Sequence, residues 1–464
     1  MKRSFFPFAS GIATLLFAFQ VVAAPSPAPT LGSEVAVSKS PPATVAKTIG
    51  SQSRSIELPL PEMVEASVIN SHNVASYKNV IVPELYSSVR GGNIEMNAAS
   101  KLEFIPEPNP LFASLRDPKE FPNEFLDGVS KALGAERVLS VEFSLTALHD
   151  NKLGRELQGT LFRIYPLAIN PQDKTGQVFR EKARVFAPKA LSGFSWLTFR
   201  FQGIEEDVHF VYSPALKKSR QLTGSNRADG ILTTSFSLDD IFTWTGKREL
   251  VDGELVSRGT YLIPFGEVSV LAGNESEETC VEFESAPSNA DYKGGLSKWN
   301  ITSRKFPQAA GWIPTSSVFV PRELVRIELE SRDPYSVYGR QILYIDFETL
   351  LPVYKFVFDR SGHPWKTVMT GYGWLKSPND KDKQIPIPMF TIVDDALKGD
   401  SYIFDISRFR ACKNIPESLQ SESFDPKRLG DSSDTPQVSP QPSSSPPVTP
   451  TAQSSRSQVS VQPP

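Results

Sequence analysis

Among the residue types that do chemistry, the chain offers four histidines, His72, His149, His209 and His363, and no two stand at metal-ligand spacing. Two cysteines, Cys280 and Cys412, lie far apart with no histidine beside either, so they do not read as a metal pair. Acidic residues come in adjacent pairs, Glu205-Glu206, Asp239-Asp240 and Asp394-Asp395. On a strand such neighbours point to opposite faces, which makes them weak candidates for a general acid and base. Motifs with a built-in mechanism are missing too: there is no G-x-S-x-G, H-E-x-x-H, G-x-x-x-x-G-K-[ST], S-x-x-K or C-x-x-C. The residues predict a protein that is not an enzyme and needs neither cofactor nor metal.

What remains is a combination of aromatic and basic residues. Trp196, Phe210, Tyr212, Phe236, Trp244, Tyr344, Tyr354 and Trp365 could line the concave face of an unclosed sheet and shelter an acyl chain from water. Burying hydrocarbon is worth about 0.8 kcal/mol per CH₂, so one long chain supplies ample affinity without specific polar contacts. Taken singly, each of these residues is more often ordinary core. Lys217, Lys218, Arg220 and Arg227 follow the aromatic run. They could meet a phosphate headgroup or an acidic partner at a cavity mouth, or form a solvated turn.

The elements that must position these side chains read mainly as strands. Val208, Phe210 and Tyr212 alternate with His209 and Val211 until Pro214 ends the run. Trp196 and its neighbours form the preceding strand, and the Gly203 to Asp207 turn makes the two a hairpin. Downstream, runs over Val325–Glu330, Gln341–Phe347, Tyr354–Phe358 and Trp365–Trp374 are separated by Asp333-Pro334, Leu351-Pro352 and Asp359–Gly362, which predicts a meander. Helices are few. One is predicted from Pro122 through Leu133, ended by Gly134, and another within Asn70–Val89. Ser237 is placed to cap a short helix over Asp239 and Asp240, so the residues after Leu222 read as a lid. No repeat of propeller or solenoid length is present.

The series Tyr212, Pro214, Ala215, Leu216, Lys217, Lys218, Arg220, followed by Arg227, Asp229 and the run Phe236–Asp240, resembles the signature of a family of bacterial outer-membrane lipoprotein-sorting-like proteins, DUF1329. A second match runs through Arg340, Tyr344, Ile345, Asp346, Tyr354, Phe358, Asp359, Gly362 and Trp365, and a weaker third lies at Asn73–Tyr77. Together they cover roughly residues 60 to 412 in order. Lys217 and Lys218 stand where relatives often carry arginine, a departure that weakens any claim of bidentate recognition there. The resemblance implies a lipoprotein-carrier-like fold: mainly β, a strongly curved antiparallel sheet forming an unclosed half-barrel, with a few helices covering its open side. It further implies a Gram-negative periplasmic carrier or chaperone for a lipid or acylated lipoprotein, with a resistance-nodulation-type inner-membrane exporter as a plausible donor.

Composition agrees with export. Residues 1–24 hold a basic start, an apolar run from Phe5 to Val22 and small residues at Val21–Ala24, the pattern of a signal peptide; the apolar run also approaches the length of a membrane anchor. Residues 25–58 read as a flexible linker, 59–420 as the carrier-like domain and 426–464 as a Pro/Ser-rich disordered tail. Forty-nine basic against 52 acidic residues leave a net charge of −3, which gives no general reason to expect nucleic acid. The even, low cysteine count suggests one disulfide between Cys280 and Cys412, stabilising by up to roughly 4 kcal/mol in the chain-entropy model; two separate buried thiols is the other reading. Asn274-Glu275-Ser276 and Asn300-Ile301-Thr302 fit the glycosylation pattern, which is a chance match in a bacterial protein. A monomeric lipid carrier is the expected function, with an envelope interaction protein or an exported hydrolase as alternatives.

Overall fold

A computed structural model describes residues 67–91, 94, 96–98, 117, 120, 122–132, 138–149, 152–223, 227–265, 271–272, 274–275, 280–284, 318–376, 384–413 and 424–431. The expected signal segment 1–24, the linker 25–58, the Asn300 glycosylation match and the tail beyond residue 431 lie outside the described residues.

In chain order the elements are β1 (Ser67–Ile69), α1 (Pro83–Arg90), β2 (Met96–Ala98), α2 (Pro122–Ala132), β3 (Val138–His149), β4 (Lys152–Ile164), α3 (Pro166–Ile169), β5 (Gln177–Ala187), β6 (Ser195–Phe201), β7 (Val208–Ser213), β8 (Lys218–Leu222), β9 (Val251–Phe265), β10 (Leu271–Ala272), β11 (Asn274–Glu275), β12 (Cys280–Glu284), β13 (Val318–Ser331), β14 (Arg340–Asp346), β15 (Pro352–Phe358), β16 (Pro364–Lys376), β17 (Gln384–Asp395) and β18 (Asp400–Cys412). The expected hairpin is β6–β7, and the expected meander is β13 to β16. Pro83 and Pro122 each open a helix, where a missing N–H costs nothing.

One antiparallel sheet of 13 strands dominates, and the molecule is mainly β without closing into a barrel. Its order is β8-β7-β6-β5-β4-β3-β18-β17-β16-β15-β14-β13-β9, every neighbour antiparallel. Two long meanders thus meet at the β3–β18 seam, where residues from opposite ends of the chain pair over Asp400–Cys412 and Val138–His149. Register shifts recur along the sheet, at Gly371/Tyr372, Ile406/Arg408 and Gln158/Gly159 among others. Each bulge adds local twist, which curves a sheet this wide. The β9 edge bends back far enough for Phe265 to pair with Tyr372 of β16.

Both faces of the sheet are covered, and by different segments. Helix α1 binds β13 and β14: Glu84 meets Arg326 at 3.2 Å and accepts the Tyr344 hydroxyl at 2.8 Å. Helix α2 lies by β9, with Asp127 paired to Arg248 and Phe125 stacked on Phe347. The start of the expected tail is ordered as well. Residues 424–431 pack over β4 to β8, with Phe424 on Phe162, Leu429 buried, Ser219 donating to Pro426 O at 3.0 Å and Arg184 to Asp431 O at 2.9 Å. Leu429 and Phe424 give this short piece the apolar surface that the Pro/Ser-rich remainder lacks.

The remaining face of β3 to β7 and β14 to β18 is covered by residues 227–250, a strap whose regular structure is limited to short 3-10 turns, among them Ile231–Thr233, Leu238–Asp240 and Arg248–Leu250. We call this the inner face. The β12–β18 register sets Cys280 directly opposite Cys412.

Candidate functional site: an apolar slot under a strap

Strand pairing decides which side chains share the inner face, because Cα partners point the same way and sequence neighbours point oppositely. Trp196 pairs with Ala183 on one side and Val211 on the other, and Val211 pairs with Arg220. Leu145 pairs with Leu157 and with Phe404, and Gly159 with Phe143 and Val185. Gly159 has to be glycine here: a Cβ would stand 2.7 Å from the Phe143 ring. Phe143, Leu145, Leu157, Val185, Trp196 and Phe404 form an apolar bed, and Ile231, Leu232, Phe236 and Ile241 of the strap lie on it. Phe236 stacks on Phe404 at 5.4 Å and Phe242 meets the same ring edge-on at 6.4 Å. The cavity left between bed and strap is about 10 Å³, room for a single water-sized sphere.

Of the expected cavity residues, the structure therefore brings Trp196 and Phe236 together and separates the rest. Phe210 and Tyr212 are a correction: they face away from Trp196, on the outer side, where Phe210 packs on Phe199 and Tyr212 lies against Gly430. The alternation in β7 was legible, but the face toward the slot is the one bearing His209 and Val211. Tyr344 and Tyr354 also miss the slot. They pair with each other on the face opposite Lys355, and bond to Glu84 and to Leu262 O. Trp365 packs on Tyr338, and Trp244 folds over Gly246. Arg220 lies exposed at the sheet edge, on the inner-face row that leads to Trp196. Arg227 is no rim residue at all: it is buried among carboxylates.

Two charged clusters seat the strap. At its base, Asp207 receives Arg200 at 2.6 Å, Arg227 at 3.6 Å and Lys247 at 3.5 Å. Arg227 begins the strap and Lys247 ends it, and Arg227 also donates to Thr245 O at 2.9 Å, so both ends are pinched at one carboxylate. Burial alone would raise the Asp207 carboxyl, but Arg200, Arg227 and Lys247 outweigh it and lower it. Beside them His209 is pushed down to about 3 by burial and by Arg227, with Asp207 opposing. Its Nδ1 contacts Thr198 Oγ1 at 3.0 Å, while Nε2 is buried without a partner.

At the tip, Asp240 is fully buried between Lys355 at 2.7 Å and Lys366 at 3.4 Å. It also accepts the Ser237 N–H at 3.0 Å, the Ser237 hydroxyl at 2.8 Å and the Tyr338 hydroxyl at 3.1 Å. Burial would raise this carboxyl too; the two lysines hold it well below the usual carboxylate range. Lys355 further donates to Asp239 O at 2.7 Å, Ser235 bonds to Asp395, and Thr243 donates to Thr370 Oγ1 at 2.7 Å. Ser237, Tyr338 and Lys366 are residue types that nucleophilic catalysis uses. Here the serine hydroxyl is given to Asp240 and Lys366 is given to Tyr338 at 2.8 Å, which makes them parts of a closed network. Among the described residues no group of acids, histidines and cysteines could hold a metal ion.

The sequence alone does not point to Lys355 or Lys366, since a lysine alternating with apolar residues on a strand reads as solvent-facing. One signal was present: Lys355 sits between Tyr354 and Phe356, and Lys366 follows Trp365, in runs with almost no other charge.

Against known proteins, no family model matches the chain and no curated relative matches it. Among solved structures it is similar to a chain described as an outer membrane lipoprotein-sorting protein domain from Vibrio parahaemolyticus, at 12% identity and a TM-score of 0.44, covering 66% of this chain and 97% of that one. A DUF1329 family protein from Desulfovibrio piger gives 13% identity, a TM-score of 0.43 and coverage of 66% and 97%. A LolA superfamily protein from Nitrosomonas europaea gives 12%, 0.36 and coverage of 64% and 96%.

Two outcomes follow from the clusters. The unfolded chain takes up a proton at His209 as pH falls below the ordinary value of 6.5, while the folded chain does so only near 3, so stability present above 6.5 is lost progressively down to that value. Replacing His209 by Gln removes this part of the acid slope, read as urea midpoints against pH; an unchanged slope refutes the assignment. Asp240→Asn leaves two buried lysines facing a neutral group and lowers stability by about 3–5 kcal/mol, whereas Asp240→Leu combined with Lys355→Met and Lys366→Met costs much less. Equal losses in the two variants, measured by urea unfolding, contradict a paired-charge role.

Proposed function

We propose that the chain is a carrier that shelters an acyl chain between the inner face and the strap, and that the strap leaves the bed as the ligand enters. One observation carries this reading: apolar strap side chains fill an apolar bed, yet the strap belongs to no sheet or long helix and is held by polar contacts at its base and tip. The backbone beneath those side chains is in the left-handed region at Leu232, Thr233, Phe242 and Thr243, none of them glycine. Such conformations cost about 1–3 kcal/mol each and concentrate where a segment clamps or switches. Ligand pockets usually offer about 300–1,000 Å³, far above the space left here, so uptake of a chain requires the strap to move. Ile231 and Leu232 are only partly buried, which supports an entrance at that part of the strap.

The sequence resemblance to lipoprotein-sorting-like proteins supports an acyl chain, free or on a lipoprotein, as the cargo. Export to the periplasm through residues 1–24, whose pattern is that of a signal peptide, and action as a monomer belong to the same proposal, as does receipt of cargo from a resistance-nodulation-type exporter, which rests on the resemblance alone. A Cys280–Cys412 bridge, suggested by the even, low cysteine count, is part of the proposal. Its support is the register: facing residues of antiparallel strands have Cα atoms about 4.5–5.5 Å apart, inside the disulfide range.

Locking the strap tests the carrier mechanism. Thr243→Cys with Thr370→Cys, placed where the hydroxyls are 2.7 Å apart, should abolish uptake of a fluorescent hexadecanoate when oxidised and regain it on mild reduction, with the unmodified protein as control through the same treatment. Full uptake by the oxidised variant refutes strap displacement. A non-reducing peptide map of the unmodified protein should show Cys280 and Cys412 in one linked fragment that separates on reduction; two alkylatable thiols overturn the bridge.

A further inference from the structure

From the geometry of one inner-face row we infer that the slot selects an anionic amphiphile, its chain on the apolar bed and its negative head at Arg220 and Lys218. This rests on the carrier reading above and adds the chemistry of the head. The row runs Ala183, Trp196, Val211, Arg220 across four neighbouring strands, all pointing to the inner side. Arg220 therefore stands two strands from Trp196, about 10 Å at ordinary strand spacing. Lys218 shares its face one step along β8, because it too is two residues removed on the same strand.

Two features of the row ask for a ligand. First, Arg220 and Lys218 are exposed and have no carboxylate partner among the described residues. Elsewhere on this face the arginines Arg163, Arg200 and Arg227 are each paired with an acid. Second, Trp196 is 6% exposed, and its indole N–H is buried with no acceptor. A buried donor left unpaired costs free energy that a bound oxygen would recover. An acyl chain laid along the row with its oxygen-bearing end outward passes apolar bed, then a lone N–H donor, then two free cations. Carboxylate and phosphate heads both satisfy this order, whereas an ammonium head meets repulsion at the rim.

The test compares heads on one chain, using the full-length protein and calorimetric titration. Hexadecanoate and hexadecyl phosphate should bind about tenfold or more tighter than hexadecanol, the usual size of one or two charge-assisted hydrogen bonds. Arg220→Glu with Lys218→Glu should erase that preference while hexadecanol affinity stays within about twofold. Trp196→Phe, which keeps the apolar contact and removes the donor, should weaken all oxygen-headed ligands by a few-fold. Equal affinity of the three ligands for the unmodified protein overturns the inference and leaves the carrier reading standing. Binding of none of them overturns both. Competition by inorganic phosphate alone at equal concentration would show an anion site independent of the chain, which also overturns the proposal as stated.

Discussion

A chain segment without regular structure can lie on the apolar face of a sheet only if its polar groups find partners there, and the Asp240 carboxylate is where this requirement is met. Residues 227–250 bury Asp240, Ser237 and Ser235, and the sheet answers with Lys355, Lys366, Tyr338 and Asp395. Two lysines against one carboxylate would leave excess charge, and Asp395, the direct strand partner of Lys366, offsets it. A buried network of this kind contributes little net stability compared with apolar packing of the same volume. What it does contribute is position. Only one placement of the strap satisfies every member, so Phe236 and Phe242 are delivered to Phe404 and not to some other part of the bed.

The base cluster works differently. Asp207 belongs to the turn before β7, Arg200 to β6, and Arg227 and Lys247 to the two ends of the strap, so one carboxylate joins turn, sheet and strap. Arg200 also holds Thr245 O and Gly246 O. The two clusters are joined, since Arg227 also pairs with Asp239 beside Asp240 at 2.7 Å; in the proposed carrier the Asp207 cluster would keep the strap tethered while the contacts of Asp240 break. The left-handed residues Leu232, Thr233, Phe242 and Thr243 lie between Arg227 and Lys247, in the part that would change conformation in the proposed carrier.

Much of the scaffold was legible in the residue alternation. Pro214, Asp333-Pro334 and Leu351-Pro352 end or interrupt strands where the turn chemistry says they should, and the hairpin and meander follow. The identity of the buried face was not legible, for a physical reason. Alternation separates two faces but labels one as inner only if the other meets water, and here residues 424–431 return from the far end of the chain to cover Tyr212 and Phe162. Phe210 and Tyr212 consequently look like cavity residues while facing outward. The same two-sided burial conceals Lys355, whose strand neighbours Tyr354 and Phe356 are buried on the opposite face. Of the expected site, Trp196 and Phe236 could be anticipated as large apolar residues flanking the basic turn. Lys355 and Lys366 could not, because their partner Asp240 comes from a segment more than a hundred residues upstream; nor could Asp207, because Arg227 and Lys247 reach it only once the strap folds back over the sheet.

Occupation of the slot by the strap sets a threshold for any ligand in the proposed carrier. Entry exposes Ile231, Leu232, Phe236 and Ile241, side chains whose burial is worth about 1.5–3 kcal/mol each, or roughly 6–12 kcal/mol together as an upper bound. An incoming chain gains about 0.8 kcal/mol per CH₂. Balance is therefore reached only with some ten methylenes, before the tip contacts are counted against the ligand and the relief of backbone strain in its favour. Short fatty acids and detergent-like fragments fall below that balance, and long acyl chains rise above it. In that proposal the strap acts as a competitor that converts a generic apolar surface into one selective for length, with the charge at Arg220 adding a second criterion outside the slot.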